Sequence, residues 1–348
     1  MKKHPLAILC LKASALILPF LLLVAYYIQR DPFMVIRHYA DYDHSHICQN
    51  EGYVSWQKYK RYRDTERYDA FIMGNSCTMA FACADWNRHI HGRPFRLFCN
   101  NLGLADLLEQ LQALDRQPRQ PLRHLLVVLD RQSFVNYHPS TGAMHIMPPE
   151  VSHKRWLKVQ TVFLQAFLDP KVLLPYLQYE LTGQLRSSMR GIVNAHVPVR
   201  TTYTNDAILA QEDSIRKQGE AYWSGDSWKH ARETRPSTSP RLLFAPHVRL
   251  LREIRTICRR NNTDLRLVIG PNTDRIAMNP HDVATLRAVL GHGRVYDYSN
   301  EDRLNDCHNF YDACHYRRPV GRQIMDAIYR QPTRPSPSQH QGAGLTKK

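Results

Sequence analysis

The run His124-Leu125-Leu126-Val127-Val128-Leu129 constrains the fold more than any other stretch of this 348-residue chain. A nearly continuous apolar run of this length suits a strand covered on both faces, as in a parallel sheet. Its surroundings repeat the pattern. Short apolar strands are expected at residues 70–73 and 95–99, with helices at 78–90 and 104–114, the latter from the spacing of Leu104, Leu107, Leu108, Leu111 and Leu114. The rhythm resumes with an amphipathic helix over 242–259, a strand over 264–270 and a helix over 281–290 that starts at the Asn279-Pro280 boundary. A last strand at 295–298 and a closing helix at 319–329 complete it. Strands alternating with helices predict an α/β domain, a doubly wound and mainly parallel sheet with right-handed connections, over residues 68–331.

Residues 134–240 interrupt that rhythm and are too long for a plain loop. Helical spacing at 156–164 and 172–185 makes the insert largely helical, while 198–240 reads as irregular. Its aromatics Tyr203, Tyr222, Trp223 and Trp228 stand among polar neighbours. They fit either a lid that stacks on sugar rings or a small core belonging to the loop itself.

The N-terminus adds a second constraint. Lys2 and Lys3 precede an apolar stretch from Pro5 to Ile28 broken only by Lys12, long enough for the roughly 20 residues a bilayer requires. Val24-Ala25-Tyr26-Tyr27-Ile28-Gln29 lacks a small-x-small cleavage pattern, so residues 1–30 read as an uncleaved signal anchor, a single transmembrane helix. Lys2 and Lys3 favour a cytoplasmic N-terminus, although Arg30 and Arg37 pull the other way. The exported domain is then periplasmic or otherwise extracytoplasmic. Residues 31–67 read as a juxtamembrane stalk with a short solvated, lipid-facing helix around Lys58-Tyr59-Lys60-Arg61-Tyr62-Arg63. The tail, 332–348, is rich in Pro, Ser, Gln and Gly and reads as disordered.

The formal charge of +16 comes from scattered basic residues without a recognised nucleic-acid motif. Membrane lipid headgroups or an acidic polysaccharide suit an anchored chain better than nucleic acid. Eight cysteines without a CxxC pair give little support to a structural zinc site. Cys307 and Cys314 either close a short disulfide loop or remain two free thiols.

The chemistry rests on two segments far apart in sequence. Gly74-Asn75-Ser76-Cys77-Thr78 follows the first strand, and Asp312-Ala313-Cys314-His315 follows the last. A serine at a strand-to-helix turn is exposed, and an Asp-x-x-His loop can carry an imidazole together with the carboxylate that orients it. Ligand sites in such sheets lie at the carboxyl ends of the strands, where both segments fall. Ser76 is equally a residue type that caps helices, Asn75 is equally a turn former, and His308 is a rival base.

With these motifs the chain resembles the SGNH (GDSL-like) hydrolase superfamily, and within it the membrane-anchored members that modify cell-envelope polymers, relatives of alginate O-acetylation proteins and the D-alanine transfer protein. The resemblance covers roughly residues 68–130 and 241–330. It implies a flavodoxin-like three-layer fold, with Ser76 as nucleophile and Asp312 and His315 completing the triad. It also implies an oxyanion donor in Asn100-Asn101-Leu102-Gly103-Leu104-Ala105-Asp106, at Gly103 unless the spacing puts Asp106 at that position, and another at Gln132, in Asp130-Arg131-Gln132-Ser133 where the family carries Gly-x-Asn-Asp. The expected activity is that of a serine esterase or O-acyltransferase on acyl groups of an envelope polysaccharide, without a cofactor, and the resemblance suggests a membrane-bound O-acyltransferase as partner. The departure from Gly-x-Asn-Asp keeps a second expectation open, a non-catalytic scaffold or glycan-binding protein with a degenerate oxyanion hole.

Overall fold

The computed structural model describes residues 5–135, 137–193 and 199–330. The expected tail at 332–348 lies outside the described residues. In chain order the helices are α1 (Pro5–Arg30), α2 (Glu51–Glu66), α3 (Cys83–Ile90), α4 (Leu104–Asp115), the four-residue α5 (Pro149–Ser152), α6 (Trp156–Leu168), α7 (Pro170–Thr182), α8 (Gln211–Gln218), α9 (Asp226–Glu233), α10 (Ala245–Arg260), α11 (Pro280–Leu290) and α12 (Arg318–Tyr329). The strands are β1 (Ala70–Gly74), β2 (Pro94–Phe98), β3 (His124–Leu129), β4 (Ser237–Thr238), β5 (Asp264–Ile269), β6 (Ile276–Ala277) and β7 (Val295–Asp297).

Five strands form one parallel sheet in the order β2-β1-β3-β5-β7, and β4 and β6 pair separately as a two-residue ladder. With that small pair set aside, the order is 2-1-3-4-5, the flavodoxin-like doubly wound arrangement. Strand geometry explains the two cores. Side chains alternate between faces, so Phe71, Met73, Leu125, Val127, Leu265 and Leu267 meet the apolar stripes of α4, α10 and α11. Ala70, Ile72, Leu126, Val128 and Val268 meet Trp86 of α3 and Val320, Ile324 and Met325 of α12 on the opposite face. Both faces are covered, which is why β3 reads as an unbroken apolar run.

The region expected to be a stalk is structured differently. α2 packs into the first core through Trp56 and Tyr59. The Lys58 ammonium is buried, held by Asp43 (2.5 Å) and the Thr201 carbonyl (2.6 Å). Burial, partly offset by the Asp43 carboxylate, pulls its pKa down to about 8. Basic-aromatic interleaving resembles a solvated face in sequence, but here an acidic partner from residue 43 allows the cation inside.

The insert divides in two. Its first half, α6 and α7, forms a third core with Tyr27 of α1, Phe33, Val35 and Tyr53. Its second half lies on the α/β domain. Arg200 to Ala207 covers the outer edge of β2, with the Arg96 N–H donating to the Thr204 carbonyl at 3.0 Å and the Arg96 guanidinium to the Asn205 carbonyl at 2.7 Å. That covering occupies backbone groups an edge strand would otherwise leave open. Residues expected to be irregular contain α8, α9 and a 3-10 turn, Gly219–Trp223.

Candidate active site

Ser76 opens a 3-10 turn, Ser76–Ala80, directly after β1, at the point where the sheet order reverses between β1 and β3. Gly74 makes the close approach possible. Its φ is +150°, and a Cβ there would stand 1.9 Å from the Val128 carbonyl oxygen of β3. Asn75 then caps the turn: its side-chain oxygen accepts from the Cys77 N–H at 2.9 Å, and its carbonyl accepts from the Thr78 hydroxyl at 2.8 Å. The Asn75 amide donates to Ser133 Oγ (3.1 Å), which donates to Asp130 Oδ1 (3.0 Å). The exits of β1 and β3 are thereby locked together. Asp130 is a residue type that caps helical turns, and here it accepts the Ser133 N–H at 2.9 Å; its link through Ser133 to Asn75 has no signature in the sequence.

A helix expected from residue 78 to 90 is instead the 3-10 turn followed by α3. The break has a cause far along the chain. The Asp206 carboxylate of the insert accepts from the Cys83 N–H at 3.0 and 3.2 Å, starting a new helix there.

The histidine segment is a tight loop pinned at both ends. Phe310 and Tyr316 form an antiparallel bridge, and the Tyr311 N–H donates to the His315 carbonyl at 2.8 Å. Asp312 Oδ1 accepts from the backbone N–H groups of Cys314 (3.0 Å) and His315 (2.9 Å), an Asx turn that fixes the carboxylate. The insert buttresses this loop. Glu212 accepts from the Tyr311 hydroxyl (2.7 Å) and from both arms of the Arg317 guanidinium (3.0 and 2.7 Å). Trp223 Nε1 donates to the Phe310 carbonyl at 3.1 Å, and the Tyr222 hydroxyl to the Tyr311 carbonyl at 2.7 Å. Trp223 and Trp228 are buried in the second core rather than presented to solvent. Of the four aromatics, Tyr203 alone is largely exposed. Glu212 carried no signal in the sequence, since nothing local marks it as a partner of residues 311 and 317.

These two constructions bring Ser76, His315 and Asp312 into one line. His315 Nε2 lies 2.7 Å from Ser76 Oγ, and His315 Nδ1 lies 2.8 and 2.9 Å from the two Asp312 oxygens. Ser76 and His315 are half-buried and Asp312 is exposed. Burial alone would pull the imidazole pKa down. The Asp312 hydrogen bond and charge, with the Cys314 thiol 3.5 Å from Nδ1, outweigh it and raise His315 well above 6.5. Desolvation correspondingly works against the Asp312 charge, but its bonds to His315 and to the loop N–H groups prevail and lower it.

Of the two expected oxyanion donors, Gly103 has its N–H engaged within a helix cap and Gln132 stands on a turn after β3. The Gly103 N–H donates to Asp106 Oδ2 at 3.1 Å within the cap of α4, and Asp106 is held further by Ser140. The Gln132 side chain is exposed on the 3-10 turn Arg131–Phe134. The Ser76 N–H occupies the first position of its 3-10 turn, where a backbone donor has no partner within the turn. His308 serves elsewhere: its ring nitrogens meet Asp306 (2.7 Å) and Glu220 (2.9 Å), tying the insert to the domain. Cys307 and Cys314 are free thiols. Asp312, Cys314 and His315 lie close enough to chelate a cation, as do Asp306, Cys307 and His308. An ion at the first group would draw on the same imidazole that meets Ser76.

Comparison with known proteins adds no relative: no protein-family model matches the chain, and neither does any curated protein.

Proposed function

We propose that the chain is a serine esterase or O-acyltransferase that acts on acyl groups of a cell-envelope polysaccharide or related polymer. The observation that carries the reading is the 2.7 Å contact between His315 Nε2 and Ser76 Oγ, with Asp312 on the opposite ring nitrogen. A serine hydroxyl becomes a competent nucleophile when an imidazole takes its proton, and the carboxylate holds the productive tautomer and stabilises the imidazolium. Ser76 Oγ attacks the ester carbonyl while its proton passes to His315 Nε2. The tetrahedral oxyanion meets the Ser76 N–H. Collapse expels the alcohol, which leaves with the proton from His315, and an acyl-Ser76 remains. Water or a sugar hydroxyl then attacks that ester, again deprotonated by His315, and Ser76 is released.

The envelope setting draws on the resemblance of the Ser76 and Asp312-x-x-His315 segments and on α1. Residues Leu11–Arg30 form a 20-residue span of mean hydropathy 2.0, long and apolar enough to cross a bilayer. In this reading the N-terminus is cytoplasmic, the catalytic domain is extracytoplasmic, and a membrane-bound O-acyltransferase is a fitting donor of the acyl group. A second reading, a glycan-binding protein on the same fold, is favoured by one feature: the Gly103 N–H already serves Asp106.

The pH profile separates the two. Only neutral His315 accepts the proton, and Asp312 raises its pKa. Turnover of an aryl acetate should therefore rise with pH through a midpoint above 6.5. In Asp312→Asn the midpoint should move to lower pH while the plateau falls by roughly 10²–10⁴. A flat profile in the parent, or an Asp312→Asn profile superimposable on it, would favour the binding protein.

A further inference from the structure

We propose that Asp312, Cys314 and His315 form a reversible site for a divalent cation of the zinc class, and that an ion bound there shuts the triad off. The site stands on the loop alone, whereas the shut-off rests on reading Ser76, His315 and Asp312 as a working triad. One ligand atom from each of the three residues lies within 4.8 Å of the other two. The Cys314 sulfur is 3.5 Å from His315 Nδ1 and 3.5 Å from Asp312 Oδ1, and Nδ1 is 2.8 and 2.9 Å from the carboxylate oxygens. Thiolate, imidazole and carboxylate are the ligand types of zinc, each bonded at roughly 2.0–2.3 Å. Ca²⁺ and Mg²⁺ take oxygen ligands, so the sulfur and the ring nitrogen select against them.

The loop presents these groups with little rearrangement. Asp312 Oδ1 already accepts the backbone N–H groups of Cys314 and His315, which fixes the carboxylate before any ion arrives. Residues 312–314 are all exposed, so an ion reaches them from solvent. One side chain must move. The sulfur also lies 3.9 Å from Nε2, which puts it over the face of the ring, whereas an ion on Nδ1 sits in the ring plane. Rotation about the Cys314 Cα–Cβ bond supplies the shift of about 2 Å, and the exposure of the side chain leaves that rotation open. The other candidate group, Asp306, Cys307 and His308, is less suited: its thiol is buried, and its imidazole is held between Asp306 at 2.7 Å and Glu220 at 2.9 Å.

The consequence for Ser76 follows from the ring's two nitrogens. In the working tautomer the proton is on Nδ1, toward Asp312, and the Nε2 lone pair faces Ser76 Oγ. An ion takes the Nδ1 lone pair, so the ring proton moves through solvent to Nε2 and points at Oγ as a donor. Cys314 releases its thiol proton to solvent as it becomes a ligand. No base then remains to accept the serine proton. Nothing is oxidised and no covalent bond to Ser76 forms, so removing the ion restores the site.

The test uses the full chain in detergent, freed of metal by a chelator and titrated with Co²⁺ or Zn²⁺. A thiolate bound to Co²⁺ adds a near-ultraviolet charge-transfer band, a readout independent of turnover. That band should saturate at one equivalent, vanish in Cys314→Ser and persist in both Cys307→Ser and Ser76→Ala. Zn²⁺ should lower aryl acetate turnover by at least about tenfold, reversibly on chelation. Loss even of groups that only orient metal ligands costs roughly 10–100-fold in affinity. Cys314→Ser, compared with its own metal-free rate, should therefore need at least about tenfold more Zn²⁺ for the same fractional loss. A missing band, or one that survives in Cys314→Ser or vanishes in Cys307→Ser, would overturn the site. Equal sensitivity to Zn²⁺ in the parent and Cys314→Ser would overturn the shut-off by placing the inhibitory ion elsewhere. The expected band in a chain without metal-free turnover would support the site and overturn the shut-off together with the triad reading.

Discussion

Ser76→Ala and His315→Ala are each expected to lower turnover of an activated aryl ester by about 10³-fold or more, and the double variant no further than the worse single. The two residues act as one unit through the 2.7 Å Oγ–Nε2 contact, so removing either disables the same step. Non-additivity is the informative part. Two independent structural lesions would multiply, because distant and uncoupled effects add in free energy. Initial rates for the four proteins, with circular dichroism and urea midpoints unchanged among them, would separate loss of chemistry from loss of fold. Ser76 is half-buried on a surface turn, and its hydroxyl has no role in the core, so the midpoint should hardly move.

Gly321→Ala should produce the largest stability loss of any single methyl addition to the α/β domain outside positive-φ glycines. A Cβ at Gly321 would stand 2.0 Å from the Ala80 carbonyl oxygen and 2.6 Å from its carbonyl carbon. Replacing a helix-interior glycine by alanine ordinarily stabilises by about 1 kcal/mol. Here the obstacle is backbone, which cannot swing aside, and overpacking of this kind costs typically about 1–3 kcal/mol and at times more. The clash wins, and a net loss of about 2–3 kcal/mol is expected from the urea midpoint. Activity should fall with it, because α12 begins three residues after His315 and Ala80 ends the turn that begins at Ser76. Gly225→Ala, with nothing within 4 Å and no positive φ, is the control and should stay within about 0.5 kcal/mol.

What the sequence disclosed and what it concealed follow one physical division. β1 and β3 were legible because strands buried on both faces must be apolar throughout, and the helices around them were legible from their stripes. Ser76 and the Asp312–His315 pair were legible because both belong to segments that follow strands of one parallel sheet, and such segments gather at its carboxyl end. Features decided by distant partners were not. Lys58 looked like part of a solvated face because the Asp43 carboxylate and Thr201 carbonyl that bury it come from elsewhere in the chain. A continuous helix over 78–90 was the natural reading until Asp206 capped Cys83. Gly103 matched an expected oxyanion donor by position, while Asp106, three residues on, took its N–H for the helix cap. The burial of residues 31–67 was hidden for the same reason: Tyr27, Phe33, Val35 and Tyr53 share their core with Phe163, Phe167 and Tyr176 of α6 and α7, more than a hundred residues later.

The most direct test is covalent. A fluorophosphonate probe needs only an activated serine, whatever the natural acyl group. It should be applied to the full chain in detergent, because Tyr27 of α1 is buried in the third core and a cut at residue 31 would open that core. Peptide mass spectrometry should find one adduct, on Ser76, that disappears in His315→Ala and in Ser76→Ala. An unlabelled parent with its fold intact, or a label that persists in Ser76→Ala, would contradict the assignment of Ser76, His315 and Asp312 as a working catalytic triad.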